Sequence, residues 1–135
     1  MPLAFGAVYG LGNLYRRLPF RSPVYFLNRK MVPVMERLLS EKQYDYVVMP
    51  HLYPAEILTY MKKHGYHVPK MLFIATDYTC IPFMEETECD TYVIPSDKLT
   101  REFVKRGVPK ERLLPLGIPV RREFAQHFDR LEVAD

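Results

Sequence analysis

The sequence predicts an α/β domain of Rossmann-like, three-layer type, with helices packed on a parallel sheet. Three observations carry this. Four short apolar runs recur along the chain, at residues 46–49, 71–74, 91–94 and 113–116, each with the length of a buried strand and the first three with β-branched or aromatic residues. Helix-period segments, not hairpin turns, separate the first run from the second and the third from the fourth. That alternation calls for right-handed crossovers and helices on both faces. The chain has 135 residues, 48% of them hydrophobic and 26% charged, which suffices for one core.

The elements follow in order. Ser22-Pro23 opens a helical pattern, since proline is tolerated in a first turn where its missing N–H would be unpaired anyway. Tyr25, Leu27, Met31, Val34, Met35, Leu38 and Leu39 recur at helical spacing as one apolar face. Pro33 interrupts them, so a kink near Lys30 or two helices in succession is expected. Tyr46-Val47-Val48-Met49 is the first buried strand, closed by Pro50. A helix over 54–64 follows, with Ile57, Leu58 and Met61 inward and Gly65 at its end. Residues 70–75 form the second strand, 79–90 a loop or short helix, and 91–95 the third strand. Ser96 then caps a short helix, with Asp97 at its positive end. Leu99 and Phe103 face inward, Gly107 stops this helix, and 113–116 is the fourth strand.

Charge is segregated along the chain. Residues 1–42 hold seven Lys/Arg against Glu36 and Glu41; residues 98–122 hold eight against two acids; residues 77–97 hold six acids and no base. Two basic zones point to an anionic partner, or to ordinary solvated helix faces. Near the N-terminus, Phe5, Tyr9, Leu11, Leu14, Tyr15, Leu18, Phe20, Tyr25 and Phe26 interleave with Arg16, Arg17, Arg21 and Arg29. Rings at headgroup depth with cations against anionic lipid fit a membrane interface; an amphipathic core helix with a basic outer face fits the same pattern. No nucleic-acid motif accompanies these residues. No apolar run approaches the roughly 20 residues that span a bilayer. The first residues have neither a leading charge nor a cleavage site, which argues against a signal peptide. Cys80 and Cys89 fit no metal or redox spacing and read as two free thiols in a reducing cytosol, each behaving as a small hydrophobe. His64 and His67 lack further ligands, so no metal site is assigned.

Sites in such sheets lie at the carboxyl ends of the strands. That rule selects His51, Thr76-Asp77-Tyr78, Ser96-Asp97 and Gly117-Ile118-Pro119, which follow the four strands in turn. Asp77 leaves an apolar run and suits a hydroxyl partner or a general base, or equally a turn cap. His51 suits an acid, a base or a hydrogen-bond donor, or a plain strand-end polar residue. Gly117 allows a conformation other residues resist, and Pro119 stiffens the exit. Arg121 and Arg122 suit phosphate or lipid headgroups, or a solvated linker.

At these residues the chain resembles the monogalactosyldiacylglycerol synthase and processive diacylglycerol glucosyltransferase family. These are inverting, two-domain GT-B glycosyltransferases related to the enzyme that makes peptidoglycan lipid II. The resemblance runs through Phe5-Gly6-Ala7-Val8-Tyr9, the helix from Pro23, and Tyr44-Asp45-Tyr46-Val47-Val48. It continues through residues 51–56, Thr76-Asp77-Tyr78, Cys89-Asp90-Thr91-Tyr92-Val93, Gly107-Val108 and residues 117–124. There is one departure: the His and Trp that many members carry after the Thr-Asp-aromatic triplet fall at Ile81 and Met84, and the chain has no Trp.

The resemblance implies a partial N-terminal domain over 1–124, acceptor-binding and membrane-facing, with 125–135 the start of a linker or tail. The family's first strand and glycine-rich loop would precede Phe5-Gly6, and its donor domain would follow Phe124. The expectation is therefore the truncated half of a GT-B enzyme, inactive alone. The whole enzyme would move a hexose from a UDP-sugar to diacylglycerol or a related lipid. A non-catalytic lipid- or protein-binding module derived from that domain is the alternative, so enzyme status stays open. The implied acceptor contacts are His51, Pro54, Thr76, Asp77, Tyr78, Gly117, Ile118 and Pro119, with Asp77 and His51 the catalytic candidates. Arg16, Arg17, Arg21, Arg121 and Arg122 would meet membrane or phosphate. No cofactor is expected, and a UDP-sugar only in the full-length enzyme. The implied setting is the cytoplasm, peripheral to the inner face of the cell membrane, with self-association through an exposed sheet edge.

Overall fold

The computed structural model describes residues 27–125. The helix opening at Ser22-Pro23, and Tyr25 with it, lies outside them. Leu27 and Asn28 are helical and lead into a 3-10 turn, Arg29–Met31. Helix α1, Val32–Ser40, then starts afresh with Pro33 in its first turn, so proline opens a second helix here. Strand β1 is Tyr46–Met49, helix α2 Leu52–Lys63 and strand β2 Lys70–Ile74. A 3-10 turn at Met84–Glu86 precedes β3, Thr91–Val93. A further 3-10 turn, Asp97–Leu99, runs into helix α3, Thr100–Lys105. The turn Lys110–Arg112 leads to β4, Leu113–Leu114, and the turn Arg122–Ala125 follows.

The strands form one parallel sheet in the order β1-β2-β3-β4. Tyr46 pairs with Lys70, Leu72 with Thr91, and Tyr92 with Leu113. Because each strand adds on the same side of the last, right-handed crossovers all fall on one face. The core agrees with that. Met49, Met71, Phe73, Ala75, Tyr92, Ile94 and Leu113 alternate onto this face and join Val32, Leu58, Met61 and Phe103 from the helices in one cluster. On the other face Val93 is buried, while Tyr46, Val48 and Leu114 are exposed among the described residues.

Two readings of burial change accordingly. The first strand alternates instead of being buried throughout: Met49 is enclosed, while Tyr46 and Val48 point to the open face and are exposed. The helical apolar stripe also splits. Val32, Met35 and Leu39 pack inward, whereas Leu27, Met31, Val34 and Leu38 are exposed. The split lies within α1 itself, where Val34 and Leu38 stand about 100° round the helix from Met35 and Leu39.

The loop 79–90 returns to β3 through polar contacts, buried at Tyr92 and exposed at Asp90. The Tyr92 hydroxyl donates to the Thr87 carbonyl at 2.9 Å and accepts the Cys89 N–H at 3.1 Å. The Asp90 carboxylate accepts the Met71 N–H at 2.8 Å and meets Lys62 Nζ at 3.3 Å. Cys80 and Cys89 form no disulfide, as expected, and both are buried. Burial pushes the Cys89 thiol up to about 11, which makes it a poor nucleophile.

Candidate functional site

The parallel register brings the four strand ends to one edge. Met49 lies opposite Phe73, Ile74 opposite Val93, and Val93 opposite Leu114. Neighbouring strands stand about 4.8 Å apart, so the segments after them lie side by side. Ladder bonds continue past the strands: Ala75 N–H donates to the Val93 carbonyl at 2.8 Å, and Ile94 N–H to Leu114 at 2.9 Å. Gly117 N–H reaches back to the Ile94 carbonyl at 3.2 Å. This return requires φ +93° at Gly117, a left-handed conformation that glycine takes without a Cβ penalty. Ile118 is half-buried after it and Pro119 exposed.

His51 has extended backbone geometry and caps α2, which begins two residues earlier than the sequence suggested. Its Nδ1 accepts the Tyr53 N–H at 3.4 Å, a long bond, and its ring tilts against Tyr53 with centroids 4.8 Å apart. With Nδ1 engaged, Nε2 is the nitrogen left for a ligand. Pro54 is half-buried in the first turn of α2. Thr76, Asp77 and Tyr78 are exposed, Tyr78 at 71%. None of the three makes a hydrogen bond to a described residue, so Asp77 does not cap the following turn. An exposed carboxylate, an imidazole and a tyrosine on one edge can accept, donate and stack against a hydroxylated ligand.

Ser96 caps the turn after β3: its Oγ accepts the Lys98 N–H at 3.3 Å and donates to Asp97 Oδ1 at 3.1 Å. Arg121 and Arg122 are exposed at the start of the last 3-10 turn. Arg16, Arg17 and Arg21 lie outside the described residues. Ile81 packs against the core and Met84 is buried within it, so the two departing positions are used for packing. A cavity of about 720 Å³, lined by Leu39, Asp45, Met61, Tyr66 and Pro69, sits at the opposite, amino end of β1 and β2. It takes no part in this edge.

Two acids escaped the sequence reading. Glu56 is buried on α2, where the Asn28 amide donates to Oε2 at 2.6 Å and Oε1 has no partner among the described residues. Burial, followed by the nearby Glu86 carboxylate and against the Asn28 bond, pushes the Glu56 carboxyl up to about 7. Its position beside Ala55 and three residues before Thr59, on the inward face, was the available signal. Glu102 on α3 accepts the Thr79 hydroxyl at 2.6 Å and the Cys80 N–H at 3.0 Å, both on Oε1. Nothing local in sequence pairs residues so far apart.

The class defined by this geometry is a Rossmann-like α/β domain with its polar segments gathered at the carboxyl edge of a parallel sheet. Residues 4–120 match the family described as Monogalactosyldiacylglycerol (MGDG) synthase, and the chain belongs to that family. It is also similar to the processive diacylglycerol beta-glucosyltransferase of Bacillus cytotoxicus, at 28% identity over 91 residues. That match covers 67% of this chain and 23% of the relative, so the chain spans about a quarter of the relative's length. No solved structure matches the chain. Among the described residues no helix is long and apolar enough to cross a membrane, and no group of three or more His, Cys, Asp or Glu is placed to hold a metal ion.

Proposed function

We propose that the chain is the acceptor side of a glycosyltransferase and presents a diacylglycerol-type lipid along the carboxyl edge of its sheet. The observation that carries this reading is the position of the family match, which runs through every segment of that edge from His51 to Pro119. A diacylglycerol offers one hydroxyl and two acyl chains. Asp77 and the His51 Nε2 suit the hydroxyl, while Pro54, Tyr78 and Ile118 supply apolar contact. Inverting transfer needs one base at that hydroxyl, and Asp77 is the candidate, with His51 second. The hexose would come from a UDP-sugar held by a donor-binding unit outside residues 27–125. The described residues are assigned no donor contact and, alone, no turnover.

The second part of the reading is the surface on which this happens. Arg16, Arg17 and Arg21, with Arg121 and Arg122 at the other end, suit an anionic membrane at the inner face of the cell membrane. Each such cation near the surface is worth about 1 kcal/mol and is screened by salt.

Co-sedimentation of the whole chain with vesicles tests both parts. Phosphatidylcholine vesicles containing diacylglycerol are expected to bind more chain than vesicles without it. Adding phosphatidylglycerol is expected to strengthen binding in a manner that salt and Arg16→Ala/Arg17→Ala reverse. Equal binding with and without diacylglycerol contradicts the acceptor role. Glycolipid formed by the chain alone from UDP-[14C]glucose contradicts the division of labour.

A further inference from the structure

The exposed triplet Thr76-Asp77-Tyr78 has no hydrogen bond of its own among the described residues, so its position must be set from its two ends. On the strand side the anchor is the Ala75 N–H bond to Val93, at 2.8 Å. On the other side Thr79 Oγ1 and Cys80 N both donate to one atom, Glu102 Oε1, at 2.6 and 3.0 Å. Cys80 is itself enclosed in the core. The triplet is thus a three-residue bridge between two fixed points. Glu102 belongs to α3, which continues from the Ser96-capped turn at the end of β3. The clamp therefore ties the loop after the second strand to the helix after the third. The Thr79 hydroxyl, against partial burial and helped by the Cys80 N–H and the Arg106 guanidinium, holds the Glu102 carboxyl below its usual range. It is a carboxylate at neutral pH, and both hydrogen bonds are charge-assisted.

We propose that Glu102 is the positioning residue of the acceptor edge: through Thr79 and Cys80 it sets where Asp77 and Tyr78 stand. The inference rests on the acceptor role argued above. Glu102 touches no acceptor atom in this account. Its oxygen is spent on two donors of the loop, and its effect reaches the lipid through the three residues between them. Without the carboxylate, Thr79 and the Cys80 N–H lose their common acceptor and the loop loses this tie to α3, while Cys80 stays enclosed in the core.

Co-sedimentation with phosphatidylcholine vesicles, with and without diacylglycerol, tests this in the whole chain alongside thermal melting. In Thr79→Val, which removes one charge-assisted hydrogen bond, the diacylglycerol-dependent part of binding is expected to fall about tenfold, and in Glu102→Ala, which removes both, at least as far. Thr79→Ser keeps the hydroxyl and is expected to stay within about twofold of the wild type. Binding to vesicles without diacylglycerol is expected to be the same in all variants. Wild-type diacylglycerol dependence in Thr79→Val, or Thr79→Ser as weak as Thr79→Val, overturns the inference. Should Glu102→Ala fail to fold, the Thr79 pair decides the matter by itself. A wild-type chain with no diacylglycerol dependence overturns the acceptor role, and this inference with it, so the two failures are distinguishable.

Discussion

Glu56 carries its carboxyl into the space between α2 and the segment before α1, with Asn28 its hydrogen-bond partner there. Its pKa of about 7 lies above the ordinary 4.5, so the folded state holds the proton more tightly than the unfolded one. The benefit is complete below the unfolded value and disappears as pH rises through 7. The difference amounts to roughly 3 kcal/mol. Urea unfolding of the wild type is expected to show stability falling between pH 5 and pH 8, and Glu56→Gln is expected to remove most of that fall and to be the more stable chain at pH 8. An unchanged pH slope in Glu56→Gln would contradict the assignment. Gly117 is a different kind of residue-scale constraint. A Cβ there meets nothing within 4 Å, but the backbone sits at φ +93°. Gly117→Ala is therefore expected to cost about 1 kcal/mol through conformation alone. The Gly-X-Pro pattern made this turn legible in the sequence. The partners of Glu56 and Glu102 were not, because each lies more than twenty positions away and only the fold brings them together.

At the scale of elements, helix phase was the hardest thing to read. The apolar residues from Leu27 to Leu39 fit one 3.6-residue stripe on paper. Neighbouring positions stand about 100° apart round helix α1, so adjacent leucines have opposite fates: Leu38 is exposed and Leu39 packs on the core. Leu38→Lys is expected to change stability by no more than about 0.5 kcal/mol, and Leu39→Lys to cost about 2 kcal/mol or more, measured by chemical denaturation. Equal costs would contradict the phase. Strand positions were easier, since a short apolar run closed by Pro50 or Pro95 has little else to be. How deeply each strand is buried was not legible, because that depends on strand order. A run of four apolar residues looks the same at an edge as at a centre, and β1 proves to be an edge among the described strands, with Tyr46 and Val48 exposed.

For the whole molecule, the sheet order explains both the open face and the gathered edge. Strands added in one direction place every described crossover on one side, which leaves Tyr46, Val48 and Leu114 uncovered by described residues on the other. An apolar face beside a free strand edge favours association between copies. Sedimentation velocity is expected to show concentration-dependent association that Val48→Lys weakens; a monomer at every concentration would contradict this. The same parallel order aligns His51, Asp77, Ser96 and Gly117 at one end of the sheet, and on that alignment the acceptor role depends. Hydrogen exchange of the wild-type chain on vesicles with and without diacylglycerol tests it most directly. Exchange is expected to slow in 51–54, 76–80 and 117–118 when diacylglycerol is present, with no change at the opposite end in 44–45 and 66–68. Protection confined to the opposite end, or none at the carboxyl edge, would contradict it.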